Sequence, residues 1–368
     1  MSGTRRPGSI DGLWRVLAPS IGIWGVAAVA VAMPGSGAWI GAASVLCGVL
    51  AAVIAYAVGR RDRSARREPG LLGSRALGAV LVGAAGLLLL SVRLVGLEED
   101  RRHPGLNDAA DRGRSATVDV QLSAYPGSRV SEDGTRSWLR GTVDAAPILV
   151  WIDGAADPHW GPGSRIRVTG AVRAQPPESD GAFEIAARGA VESIPGRLDA
   201  AVSTLAEARA RLVAAAARVP GAELVPGFAV GDTSPIPELL GERMRATSLT
   251  HLTAVSGSNC ALVVGAIAWT SARFGAGRRT RVVLSAAALV GFVALIGPDA
   301  SVQRAAIMAG VMLASRFGGV PGSGLPALGA AVLLLLVADP WESRQAGFGL
   351  SVLATGESYS SLRRSRKA

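Results

Sequence analysis

Lysine, histidine and cysteine are nearly absent from this sequence, and each absence excludes a class of chemistry. Lys367, the penultimate residue, is the only lysine, so a phosphate-cradling G-x-x-x-x-G-K-[ST] loop cannot exist. The three histidines, His103, His159 and His251, are scattered, whereas a metal site needs clustered ligands. There is no G-x-S-x-G elbow, and a serine five residues after a histidine (His251, Ser256) is not a triad signature. Two cysteines supply no disulfide framework. Cys47 and Cys260 each sit in an apolar run and read as small packing residues. No catalytic residue, metal ligand or cofactor is therefore expected. A cleavable signal peptide pattern is missing too, because the first apolar run leads directly into a second.

What the sequence has instead is apolar length and arginine. It is 49% hydrophobic with a mean hydropathy of +0.35, yet its formal charge is +10. A soluble protein rarely combines these, because so much exposed apolar area aggregates. A membrane protein does combine them, with apolar spans facing lipid and arginines gathered in cytoplasmic loops.

The first block, residues 1–95, holds about three expected spans: Leu17–Met33, Ala38–Val58 and Ala76–Val92. Each approaches the roughly 20 residues that cross a hydrocarbon core. Pro34-Gly35-Ser36-Gly37 turns between the first two, and an arginine-rich run from Arg60 to Arg67 separates the second from the third. The positive-inside rule puts that run and the N-terminus in the cytoplasm. The third helix then leads out, so residues 97–200 are expected to be extracytoplasmic.

From residue 96 to 196 the period changes to two, as in half-buried strands. Five candidates follow one another: Ser115–Ala124, Ser137–Val143, Ile148–Ile152, Ser164–Arg173 and Phe183–Val191. Turn pairs such as Pro126-Gly127, Asp133-Gly134, Asp153-Gly154 and Pro162-Gly163 separate them. On count, an OB-like five-stranded barrel is expected. The fold class is a polytopic α-helical membrane protein with an inserted extracytoplasmic all-β domain.

Residues 197–223 read as an amphipathic connecting helix, with Leu198, Val202, Leu205, Leu212 and Val213 at helical spacing. A polytopic core, residues 224–356, has expected spans at Leu252–Phe274, Val282–Ile296, Ala305–Phe317 and Leu325–Val337. Arg278-Arg279-Thr280-Arg281 lies between the first two. Gly347–Thr355 is too short to cross, and residues 357–368 form a polar, basic tail.

Polar groups inside apolar helices are the informative ones, because each is costly unless paired or wetted. His251, Ser256 and Asn259 can share a broad helix face, Asp232 sits in an upstream turn, and Arg304 opens a span. Two readings stand for this set: a polar path, or capping and helix–helix hydrogen bonding. A second set lies in the β domain, where Arg136, Arg140, Arg165 and Arg167 interleave with Trp138 and Trp151. Arginines beside stacking aromatics make a groove for a single nucleic-acid strand. Barrel-core tryptophans and solvated arginines are the other reading.

On these motifs the chain resembles the ComEC competence family of DNA-uptake channels. Thr247-Ser248-Leu249-Thr250-His251-Leu252-Thr253-Ala254-Val255-Ser256-Gly257 is similar to its pattern of a small residue, Leu, Ser/Thr, then His-Leu-x-Ala-[IV]-Ser-Gly. Gly231-Asp232, Arg304-Ala305-Ala306-Ile307-Met308 and Gly347-Phe348-Gly349-Leu350-Ser351 agree in order and spacing. Asn259 stands where many members have a second histidine.

The resemblance implies passage of single-stranded DNA through a helical pore in the cell membrane. It also implies an outer domain that touches DNA, with DNA and lipid as partners. Other competence proteins and a homo-oligomer remain open. Family members continue through more helices, so a truncated member is expected here. A non-transporting anchor that displays a ligand-binding β domain is the competing reading.

Overall fold

Uninterrupted alanine, leucine and valine satisfy backbone polar groups most simply as helix, and the N-terminal third does so. In the computed structural model it forms α1 (Ala18–Ala30), α2 (Ser36–Ser64) and α3 (Leu71–Asp100). The structure describes residues 16–64, 71–131, 134–196, 199–247, 249, 257–297, 300–317 and 324–365. The chain divides into two compact units. One draws on the chain up to Glu98 and from Ile307 onward, the other on Glu99–Ala306.

In the first unit, α1 packs on α11 (Gly324–Ala338), with α12 (Ala346–Ser365) and a 3₁₀ turn, Pro340–Arg344, beside them. Its core includes Ile23, Ala27, Leu90, Leu94, Leu328, Leu335 and Phe348. Ser20 Oγ donates to Gly329 O at 2.9 Å. A Cβ on Gly329 would stand 3.0 Å from Leu17 Cα, so the helices meet at a residue without a side chain. Asp339 caps the 3₁₀ turn by accepting from Trp341 N at 3.0 Å. Trp24 meets Phe348 edge-on at 5.4 Å and donates Nε1–H to Ser343 O at 2.8 Å.

The second unit opens with α4 (Pro104–Asp111), whose first turn is capped by His103 Nδ1 accepting from Leu106 N at 3.1 Å. Seven strands follow: β1 (Ser115–Leu122), β2 (Gly127–Ser131), β3 (Gly134–Val143), β4 (Ala146–Asp153), β5 (Arg165–Ala174), β6 (Phe183–Ala187) and β7 (Glu192–Ile194). Their order is β1-β3-β4-β6-β5, and β5 pairs back to β1, closing a five-stranded barrel. β4 and β6 run parallel and the other pairs antiparallel. Period-two burial fills the barrel with Val120, Leu139, Val150, Ile166, Val168 and Ile185. At about 25 cal/mol per Å² of apolar area, each such side chain contributes roughly 1.5–3 kcal/mol.

Five strands were expected, and seven are present among the described residues. β2 and β7 lie outside the closed circuit, on β3 and β5. Neither has an apolar alternation of its own to announce it.

After the barrel come α5 (Asp199–Ala216), α6 (Val225–Val230), α7 (Glu238–Ala246), α8 (Gly257–Arg273), α9 (Arg278–Ile296) and the start of α10 (Ala300–Phe317). Among the described residues, three helices are long and apolar enough to cross a membrane, over Ser36–Ile54, Leu77–Asp100 and Arg278–Ile296. Large side chains on them stay exposed, Trp39 at 78% and Val290 at 69% among them. The stretches Ala18–Ala30, Val302–Ala314 and Leu325–Ala338 are apolar but shorter. The arginines at 278–281, between the expected spans, form the first turn of α9, and the basic tail continues α12 as helix to Ser365.

Candidate functional site

The hairpin of β3 and β4 sets Trp138 opposite Trp151, their ring centroids 6.1 Å apart and tilted by 53°. A two-residue turn, Asp144-Ala145, makes this register, with positive φ of 45° and 74° at its two positions. Alternation along β3 turns Leu139 inward and Arg136, Trp138 and Arg140 outward. The Arg136 guanidinium lies over the Trp151 ring, 4.9 Å from its centroid.

These side chains wall a cavity of about 800 Å³ on the open face of the barrel, with Arg129 joining from β2. Asp153 also lines it, with Arg136 Nε 4.0 Å from its carboxylate. Arg140 lies 3.5 Å from Asp180 in the β5–β6 connection. Three arginines against the carboxylates of Asp153 and Asp180 leave the face net positive, beside two indole rings.

The structure does not bring Arg165 and Arg167 to this cavity. They lie on β5, two strands from β3 across β1. Arg167 forks onto Asp119, with Nε and Nη2 at 2.7 and 2.8 Å from its oxygens. The Arg167 hydrogen bond holds the Asp119 carboxyl below its ordinary pKa, and the positive charges of Arg167 and Arg165 add to this. That guanidinium is therefore committed.

Of the helical candidates, Asp232 Oδ1 accepts from Ser234 N at 3.0 Å and from Ser234 Oγ at 2.6 Å, closing the turn after α6. Asn259 Nδ2 donates to Phe228 O at 2.8 Å, tying the start of α8 to α6. Arg304 is 2% exposed, and beside it Ala305 packs where a Cβ on Gly257 would stand 3.2 Å away. His251 and Ser256 lie outside the described residues.

One residue of this neighbourhood, on the amphipathic helix, has a role that the sequence does not assign. Arg209 of α5 is buried and donates Nη1 to the carbonyls of Val230, of Leu295 at 2.9 Å and of Ile296 at 3.2 Å. Burial pushes its pKa down, and the nearby Asp232 charge opposes that shift. The signal was present: Ala206, Arg209, Val213 and Ala216 share one face of α5, and an arginine on an apolar stripe needs a partner. Arg209 thus anchors the ends of α6 and α9 together.

Residues 228–357 match the family described as Competence protein. The match spans Asp232, His251, Ser256, Asn259 and Arg304, and the barrel lies before it. No curated protein and no solved structure matches the chain.

Proposed function

We propose, from the premise that this chain is a competence-family member through residues 228–357, that it serves uptake of single-stranded DNA at the cell membrane. In this reading the β domain is OB-like and lies outside the cytoplasm. It receives the strand on β3 and β4, and the helical segment carries the strand onward. The path residues are Asp232, His251, Ser256, Asn259 and Arg304, and the role is transport rather than catalysis.

The observation that carries the reading is the Arg136–Trp151–Trp138 arrangement on an exposed barrel face. Indole planes stack on any base, and guanidinium groups beside them meet phosphates, which is how a strand is held without sequence preference. The strand order and the parallel β4–β6 pair support the OB-like assignment. In that fold the second and third barrel strands, here β3 and β4, form the oligonucleotide face. The arginine run at 60–67 before α3 supports the outward orientation.

The test is titration of the full chain, in lipid nanodiscs, with labelled oligothymidylate at low and moderate salt. Trp138→Ala and Trp151→Ala should each weaken binding by about 1–3 kcal/mol, the worth of one base–aromatic stack. Thermal melts of the variants check that the barrel stays folded. Absence of binding at low salt, or two folded variants that bind as the parent does, refutes the DNA-binding face.

A further inference from the structure

The cavity on the β3–β4 face does not end at the barrel. Arg129 and Trp138 are also walls of a second cavity, about 260 Å³, and its far side is built by the segment that follows α6 and by α7. Ser128 stands on the barrel side, and Ser234, Glu238 and Arg245 stand opposite. Barrel and helices here belong to one compact unit, and the far wall lies inside the competence-family segment. The two cavities therefore share a cation and an indole, and run from the barrel face to the first helices of the matched segment.

We infer that the second cavity is a further binding subsite for the phosphodiester backbone of a single strand, with Arg129 and Arg245 as its phosphate ligands. It would pass the strand from the barrel to the helical segment. This rests on the DNA-binding reading above and names a station that reading does not contain.

The chemistry of the wall fits a polyanion held loosely. Arg129 is exposed at the edge strand β2, where its guanidinium can follow a moving phosphate. Arg245 is exposed in the last turn of α7, where a cation is also favoured by the helix dipole. The Trp138 ring, half-buried between the two cavities, offers a face for a base. Ser128 and Ser234 also line the cavity, but their hydroxyl protons are already given to Ser137 Oγ and Asp232 Oδ1, which leaves the two guanidinium groups as its phosphate donors. Glu238, at the first turn of α7, opposes an anion, so the net charge is small and the strand is not trapped. A subsite on a transport route needs that weakness, because what binds must also leave.

The experiment measures full-chain affinity for two oligothymidylates, one of about 4 nucleotides and one of about 12, within the site sizes such folds occupy. The short strand fits the barrel face alone, and the long one reaches both cavities. Arg245→Gln should lower the affinity for the long strand several-fold and flatten its log–log salt dependence by about 0.7, the share of one phosphate contact. Arg245→Lys should restore most of the loss. Glu238→Gln should act in the opposite direction and tighten the long strand. Arg243→Gln removes the same charge from the same turn of α7 outside the cavity, and should leave both strands unchanged.

A long-strand loss confined to Arg245→Gln supports the subsite. Equal losses for Arg243→Gln and Arg245→Gln overturn it in favour of bulk charge. If Arg136→Gln weakens both strands while Arg245→Gln and Glu238→Gln change neither, the subsite is wrong and the barrel face stands. If Arg136→Gln changes nothing either, both readings fall.

Discussion

Arg209 lies against Tyr125, its guanidinium carbon 4.1 Å from the ring centroid, while the Tyr125 hydroxyl donates to Ala294 O at 3.1 Å. The two side chains come from α5 and from the segment after β1, and together they cover the carbonyl end of α9. That end would otherwise carry unsatisfied acceptors. The fit is close. Gly297 follows α9 at φ +94°, and a Cβ there would stand 2.9 Å from the tyrosine ring.

Arg209→Ala is therefore expected to cost about 3 kcal/mol, because it strands the carbonyls of Val230, Leu295 and Ile296 in a buried site. Tyr125→Phe should cost about 1 kcal/mol, the net worth of one neutral hydrogen bond. Thermal unfolding of the purified chain in detergent ranks the two. If Arg209→Ala melts no lower than Tyr125→Phe, the guanidinium is not the anchor.

The arginines of the barrel should separate by their partners. Arg136 faces the cavity and Arg167 is forked onto Asp119. Arg136→Ala should flatten the salt dependence of oligothymidylate binding by about 0.7, as loss of one phosphate contact predicts. Arg167→Ala, whose charge is already met by a carboxylate, should change it far less. Binding measured between about 50 and 200 mM salt decides, and equal slopes for the two variants would contradict the placement of the groove.

The same ion pair sets a pH dependence. Arg167 holds the folded Asp119 carboxyl below its ordinary pKa, so its stabilising effect is full above the unfolded value and fades as pH falls through the folded one. The pair is solvent-exposed and the effect small. Asp119→Asn should melt slightly below the parent near neutral pH, and the difference should shrink as pH falls below the ordinary aspartate value. A difference that persists undiminished in acid would assign the effect to packing instead.

Orientation is open to a direct check. A reporter active only outside the cytoplasm, fused at Gly154 in the turn after β4, should be active in cells. A silent reporter in a stably accumulated fusion would reverse the topology inferred from the arginines before α3.

Particular elements show what was legible. The β5 strand announced itself because exposed and buried residues alternate along Arg165–Ala174, a local consequence of the pleat. β2, Gly127–Ser131, did not, since it is polar and exists by pairing with β3. The β3–β4 turn was hidden as well. Asp144-Ala145 adopts left-handed backbone without the Asn-Gly or Asp-Gly pair that marks such turns. Trp138 and Trp151 were picked out as groove residues, whereas Arg165 and Arg167, also picked out, went to another part of the barrel. Residue types identify candidates, but only strand order says which of them share a face.

Local features are what the chain's residues encode directly: the apolar lengths of α2, α3 and α9, the period-two strands, and the stretch at 247–257 that resembles the competence family's motif. These follow from helix rise, strand pleat and the cost of unpaired polar groups in lipid, all of which act within about 20 residues. That β4 lies beside β6, and that Ser20 reaches Gly329 across 309 positions, follows from how the chain packs in three dimensions. The same packing gives Arg209 its acceptors on two other helices. No local period encodes such meetings. They are set by which apolar faces fit when the chain closes on itself, and by the cost of leaving a buried guanidinium or carbonyl without a partner.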